Sequence, residues 1–141
     1  MTHKSRKISA LIEPFLGREV DARYLAYFDC FNRQLFFEAH DVLEELWLAR
    51  RKGSDDAFHK GLIQLAGAFV HLQKGRLRPA AALFKLAAAN LGNYPPEHDR
   101  LDLNAVRRMI VEWLRWLEEA EFAANPLATH AAPRLELRAG W

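Results

Sequence analysis

The sequence of 141 residues has few of the features that mark a secreted, membrane-spanning or nucleic-acid-binding protein. Its single cysteine, Cys30, excludes a disulfide within the chain and is typical of a reducing compartment. No run approaches the roughly 20 uninterrupted apolar residues that a transmembrane helix needs. The 20 basic and 18 acidic side chains leave a formal net charge of +2, which argues against nucleic acid as a partner. We therefore expect a cytoplasmic protein that does not insert into a membrane.

Targeting signals and common enzyme motifs are also missing. The N-terminal segment combines basic residues with a short apolar run, but Glu13 and Pro14 interrupt that run and no cleavage pattern follows. A glycine-rich phosphate loop, a nucleophile elbow, a Cys-x-x-Cys pair and the His-Glu-x-x-His zinc motif do not occur. Any chemistry must therefore come from side chains that the fold brings together.

The hydrophobic residues make up 50% of the chain and recur with helical periodicity between glycine and proline residues. This pattern predicts an all-α fold: a single small bundle of about five helices, built from antiparallel helical hairpins and without a sheet. We expect one domain over 1–141, with an N-terminal arm at 1–18 and an extended C-terminal tail at 125–141. The predicted helices span about 21–31, 36–51, 54–74, 79–92 and 102–120. Ser54 or Asp55 is expected to cap the third helix.

A faint internal repeat aligns the helical pair that begins near Asn32 with the pair that begins near Gly75. Ala39 then falls on Ala82, and a small residue at a helix crossing is typical of tetratricopeptide-like hairpins. Two units fall short of the roughly three that a stable solenoid needs, so a globular bundle is the better interpretation. A tetratricopeptide-like protein-interaction module stays open as an alternative function.

The second predicted helix carries a polar pair beside its apolar stripe. His40 falls inside the stripe and Glu44 lies one turn along on its shoulder, so the two side chains are neighbours. Glu38, Asp41 and Glu45 fall on the opposite side of the helix, where we expect water. Because a buried imidazole or carboxylate needs a partner, His40 and Glu44 either satisfy each other as a structural pair or belong to a site.

The third predicted helix offers a polar line to the second one. Most of its circumference is apolar, but Lys60, Gln64, Gly67 and His71 follow one another nearly parallel to the helix axis. The short turn at 52–54 predicts that the two helices run antiparallel as neighbours. We therefore expect His40 to lie level with His71, with Glu44 nearer to Gln64 or Gly67, around one shared crevice.

At these residues the chain resembles the bacterial and archaeal family of the domain of unknown function 309. The hallmark of that family, H-x-x-x-E-x-x-[W/Y], is present as His40, Glu44 and Trp47. The following segments, 58–75 and 75–91, are similar to the next two helices of the family, and the resemblance covers about 28–92. It implies a small all-helical fold with no established reaction, in which the histidine and the glutamate bind metal.

Metal chemistry is compatible with the residues that the crevice would contain. A catalytic zinc site uses three protein ligands and an open position, and His40, Glu44 and His71 meet that count. Iron(II) in a two-histidine, one-carboxylate arrangement would use the same three residues. Glu38 and His59 are outside candidates for ligands. The cofactor is therefore unknown from the sequence, with a divalent zinc or iron ion as the candidate.

A site without metal is the other chemical interpretation of the crevice. Glu44 would act as a general base with His40 as its proton partner, and Lys60 and Gln64 are further candidates for catalytic residues. The function stays open between a small metal-dependent hydrolase and an interaction module in which His40 and Glu44 form only a structural pair. The sequence leaves the partner open too: a small molecule, a protein or a second copy of the chain.

Overall fold

The computed structural model describes residues 5–138, and over this range the chain forms six α-helices. Their bounds are α1 Ser5–Ile12, α2 Ala22–Asn32, α3 Phe36–Ala49, α4 Asp56–Gln73, α5 Leu77–Leu91 and α6 Leu103–Glu119. Two short strands, β1 Glu97–His98 and β2 Leu101–Asp102, pair antiparallel, and single turns of 3-10 helix occur at Glu13–Phe15 and Pro126–Ala128. The all-α prediction is confirmed.

The structure differs from the predicted architecture in two places. The N-terminal arm contains helix α1, which buries Ile8 and Ile12 one turn apart, whereas Leu16 stays exposed. The second difference is the β1–β2 hairpin, since no sheet was predicted. Strands of two residues are too short to show an alternating pattern in a sequence. In the C-terminal tail, residues 131–138 contain no helix and Leu137 forms an isolated bridge with Leu101, while 139–141 and 1–4 lie outside the described residues.

The core lies where successive helices pack: α2 on α3, α3 on α4, α4 on α5, and α5 on α6. Phe69 of α4 is fully buried at the centre of an aromatic cluster. Its ring centroid lies 5.6 Å from that of Phe31, 5.0 Å from Phe36, 5.2 Å from Phe84 and 4.9 Å from Trp113. Helices α2, α3, α5 and α6 therefore meet at one side chain of α4. No helix in the described part of the chain is long and apolar enough to cross a membrane.

The start of α4 is fastened to the loop that precedes the hairpin. The hydroxyl of Tyr94 donates to the carbonyl oxygen of Ser54 at 2.8 Å and accepts from the backbone N–H of Phe58 at 3.0 Å. Farther along, α4 and α5 approach so closely at Gly61 that a Cβ there would lie 2.9 Å from Cγ of Leu91. These contacts fix the first turn of α4 beside the β1–β2 hairpin.

Candidate functional site

The structure brings three of the predicted site residues to one cavity. His40 of α3 and Gln64 and His71 of α4 line a cavity of about 280 Å³ together with Gly67, and Leu83 of α5 also lines it. Glu44 and Lys60 are not among the residues that line it. Glu44 is half-buried on α3, and Lys60 is exposed on α4.

The partner of His40 differs from the predicted one. Within residues 5–138 the structure pairs Nδ1 of His40 with Oδ1 of Asp41, at 3.0 Å, rather than with Glu44. Asp41 is only 5% exposed, so the expectation that it faces water is wrong. The reason is helix α1, which packs against α3 and covers the side that the sequence assigned to solvent. Glu38, an outside candidate for a ligand, pairs there with the ammonium of Lys7 at 2.9 Å.

A second group of side chains lies beside the hairpin and has the spacing of metal ligands. Asp55, His59 and Asp99 each offer one ligand atom, and these atoms all lie within 4.8 Å of one another. Among the residues that the structure describes, no other group of three histidine, cysteine or acidic side chains has this spacing. His40, Glu44 and His71 do not form such a group.

Two separate elements position the three residues of this group. Asp55 and His59 lie one turn apart at the start of α4, and therefore on the same face of the chain there. Asp99 lies in the two-residue turn between β1 and β2, where it and Arg100 have φ angles of +46° and +64°. Left-handed backbone is tolerated by aspartate but costs on the order of 1 kcal/mol for a residue such as arginine. The surrounding structure must hold this strained turn in place.

A tyrosine from the core supplies part of that support. The hydroxyl of Tyr24, on α2, donates to the backbone carbonyl oxygen of Asp99 at 2.8 Å. Tyr24 is buried, and its ring makes an edge contact with that of Phe28 at 4.9 Å. The turn that carries Asp99 is therefore tied to a rigid part of the bundle.

Burial and neighbouring charges shift the pKa values of His59 and Asp99 within this group. Burial lowers the pKa of His59, which is only 3% exposed. Loss of water and the neighbouring Asp55 carboxylate raise the pKa of Asp99. Nε2 of His98 lies 2.7 Å from Oδ1 of Asp55, and the His98 ring packs against Phe58 with 4.7 Å between ring centroids. His98 thus orients Asp55 in the way that an outer hydrogen-bond partner orients a metal ligand.

The group opens onto a cavity of about 220 Å³. His59 and Asp99 line it, together with Tyr24, Arg50 and Arg100. A cation bound by the three side chains would therefore have a side that is accessible to a small molecule. Two carboxylate oxygens and one imidazole nitrogen suit zinc, manganese(II) and iron(II).

The sequence offered only part of this site. His59 was an outside candidate for a ligand, and either Ser54 or Asp55 was expected to cap α4. Asp55 does occupy the N-cap position, but within the described residues its side chain makes no capping hydrogen bond. Asp99 carried no sequence signal, because its approach to His59 depends on the hairpin. Asp55 at the N-cap position without a capping hydrogen bond is a sign of another role for its carboxylate, and that sign is visible only in the structure.

A comparison with known protein families gives a match for part of the helical bundle. Residues 24–83 match the family described as domain of unknown function (DUF309), which confirms the resemblance seen in the sequence. The matched segment runs from α2 into α5 and contains Asp55 and His59 but not Asp99. Neither the curated proteins nor the solved structures include a match to this chain. Over residues 24–83, the chain is therefore similar to the DUF309 family.

Proposed function

We propose that the protein binds one divalent metal ion through Asp55, His59 and Asp99. The observation that carries the proposal is the mutual spacing of their ligand atoms, which lie within 4.8 Å of one another. Donor atoms bound to one ion at about 2.0–2.3 Å lie at most about 4.6 Å apart, so small side-chain rotations complete the site. The proposed metal site is therefore at the start of α4, and it differs from the site of His40, Glu44 and His71 that the sequence predicted.

The crowding of negative charge supports a cation at this position. Burial and the nearby Asp55 carboxylate raise the pKa of Asp99, although His98 and His59 act in the opposite direction. His59 has a lowered pKa and is neutral at pH 7, which is the form that binds metal. A divalent ion would replace the proton that the two carboxyls otherwise compete for.

Hydrolysis is the reaction class that fits such a site. Three protein ligands leave coordination positions open, and here the open side is the 220 Å³ cavity. Asp55, His59 and Asp99 would hold a metal ion here, and that ion would supply Lewis-acid chemistry. Arg50, whose guanidinium lies 3.5 Å from the carboxylate of Asp21, lines the same cavity and supplies a positive charge beside it. These features support a small metal-dependent hydrolase as the function of the protein.

Metal analysis of purified, untagged protein tests the binding proposal. We expect about one ion of zinc, manganese or iron per chain in the wild-type protein, and a loss of most of it in Asp99→Asn. Asparagine tolerates the left-handed backbone of this turn, so the substitution removes the charge without disturbing the hairpin.

Two controls make this experiment specific. Glu97→Gln removes an exposed carboxylate from the same hairpin and should leave the metal content unchanged. His40→Ala should also retain the metal, because His40 lies outside the proposed site. Equal metal content in Asp99→Asn and wild type, or a loss confined to His40→Ala, would show that the proposal is wrong.

A further inference from the structure

The cavity between α3, α4 and α5 shares no lining residue with the cavity beside His59. Its volume of about 280 Å³ lies just below the roughly 300 Å³ at which the usual range of small-molecule pockets begins. Apolar side chains from all three helices form most of the walls: Phe37, Ile63, Val70 and Leu83. Such walls bind the apolar body of a ligand of modest size.

Polar groups at the cavity are held in defined orientations. Nδ1 of His40 is engaged by the buried carboxylate of Asp41, which leaves Nε2 as the nitrogen that a ligand can reach. The side-chain oxygen of Gln64 accepts from Nδ2 of Asn90 at 2.7 Å, so the amide nitrogen of Gln64 remains as a donor. Asp41 thus orients His40, and Asn90 orients Gln64. Such second hydrogen-bond partners are typical of binding sites that are preorganised for their ligand.

His71 is the third polar side chain that lines the cavity. Its Nδ1 is buried, and within residues 5–138 it has no hydrogen-bond partner. Burial and the nearby Arg76 and Lys74 lower the pKa of His71, so its imidazole is neutral at pH 7. Because Nδ1 is shielded from solvent, Nε2 is the nitrogen of this neutral ring that can bond to a group in the cavity.

The charge at the cavity is positive. Lys74 is the C-cap residue of α4 and lines the cavity, whereas none of the nine lining residues is acidic. His40 and His71 are the other titratable side chains of the lining, from α3 and α4, and α5 contributes only Leu83. An anion is therefore the complementary polar group, and the apolar walls require an apolar body attached to it.

We propose that this cavity binds a small organic carboxylate with an aromatic or short aliphatic body. The carboxylate accepts hydrogen bonds from the side chains of Lys74, His71 and Gln64, and the body packs against the apolar walls. This site is independent of the metal site and goes beyond the proposed hydrolase function.

Nitrogen-15 NMR titration of the full chain with sodium benzoate tests the proposal, with neutral benzamide as the matched probe. Benzoate should shift the amide resonances of cavity residues on α3, α4 and α5, and benzamide should bind about tenfold more weakly. Lys74→Met should weaken benzoate binding about tenfold, because it removes an exposed cation while leaving the fold intact. Lys85→Met, on an exposed position of α5 outside the cavity, should bind benzoate as the wild type does.

Three results would overturn the proposal. One is the absence of any shift at the cavity up to about 10 mM benzoate, a concentration at which even a weak complex forms. Another is equal binding of benzoate and benzamide, and a third is unchanged benzoate affinity in Lys74→Met. Resonances of the cavity that shift with protein concentration alone would show instead that a second copy of the chain occupies it.

Discussion

At the scale of single residues, helical periodicity predicts the face of the helix on which a side chain lies. It does not predict the hydrogen-bond partner of that side chain. His40 lies in the apolar stripe of α3, as its spacing predicts, yet its hydrogen-bond partner is its sequence neighbour Asp41. Position along a helix follows from 3.6-residue periodicity, whereas a partner depends on what packs over that face. Helix α1 packs there and turns an expected solvent-facing carboxylate into a buried one.

The pH dependence of stability provides a test of the buried imidazole of His59. Its pKa in the folded protein lies below the unfolded value of 6.5, so the unfolded chain binds more protons as the pH falls through 6.5. This group therefore weakens the folded state progressively below pH 6.5, by at most about 1.4 kcal/mol per pH unit. Urea unfolding at pH 7.5 and 5.5 should show a smaller loss of stability in His59→Gln than in wild type.

The exposed His130, which stacks on Trp116, is the control for that measurement. The variant His130→Gln should lose as much stability between the two pH values as the wild-type protein. If His59→Gln shows the same loss as well, the imidazole of His59 is not neutralised by burial.

Metal affinity should also depend on pH, with a sign that follows from Asp99. Its folded-state pKa is raised above the ordinary 3.8, so a proton competes with the metal at higher pH than it would for a free carboxyl. Affinity for Mn²⁺ in isothermal titration should fall as the pH is lowered from 7 toward 5, with proton uptake on release of the metal. Affinity that is constant over this range would contradict a ligand set of carboxyl and imidazole groups.

At the scale of elements, the β1–β2 hairpin determines whether the metal ligands meet. Tyr24→Phe removes the hydrogen bond to the carbonyl oxygen of Asp99, so we expect a loss of about 1 kcal/mol in the free energy of unfolding together with weaker metal binding. Tyr27→Phe is a matched control, because Tyr27 also lies on α2 and its hydroxyl donates to a backbone carbonyl, that of Leu62. It should cost similar stability and leave metal affinity unchanged. Equal effects of both variants on metal binding would show that the hairpin anchor has no specific role.

The hairpin also shows why part of the site could not be predicted. Its turn is formed by Asp99 and Arg100, both left-handed, instead of the Asn-Gly or Asp-Gly pair that usually marks such a turn. Each strand has two residues, so no alternation of apolar and polar side chains is visible. Helices α2 to α6, by contrast, carry long periodic patterns, and their predicted ends agree with the observed ones to within a few residues.

At the scale of the whole molecule, the bundle is organised around α4. Because four neighbouring rings from four other helices surround Phe69, Phe69→Ala should reduce the free energy of unfolding by about 3–5 kcal/mol in urea denaturation. Phe69→Leu keeps much of the volume and should cost clearly less. A loss below about 1 kcal/mol for Phe69→Ala would contradict a central position for this ring.

The helical bundle and the shared cavity of His40, Gln64 and His71 follow from sequence periodicity and from one short turn. The spacing of Asp55, His59 and Asp99 does not, because it joins the first turn of α4 to a segment about 40 residues later. Tertiary contacts such as the hydrogen bonds of Tyr24 and Tyr94 bring these segments together. Such contacts produce no local pattern in the amino-acid sequence.

Anomalous diffraction from crystals of the untagged protein soaked in MnCl₂ tests the central claim most directly. We predict one strong anomalous peak about 2.0–2.3 Å from side-chain atoms of Asp55, His59 and Asp99. A peak between His40 and His71 instead, or no peak on the ligand atoms beside the hairpin, would contradict the proposed metal site.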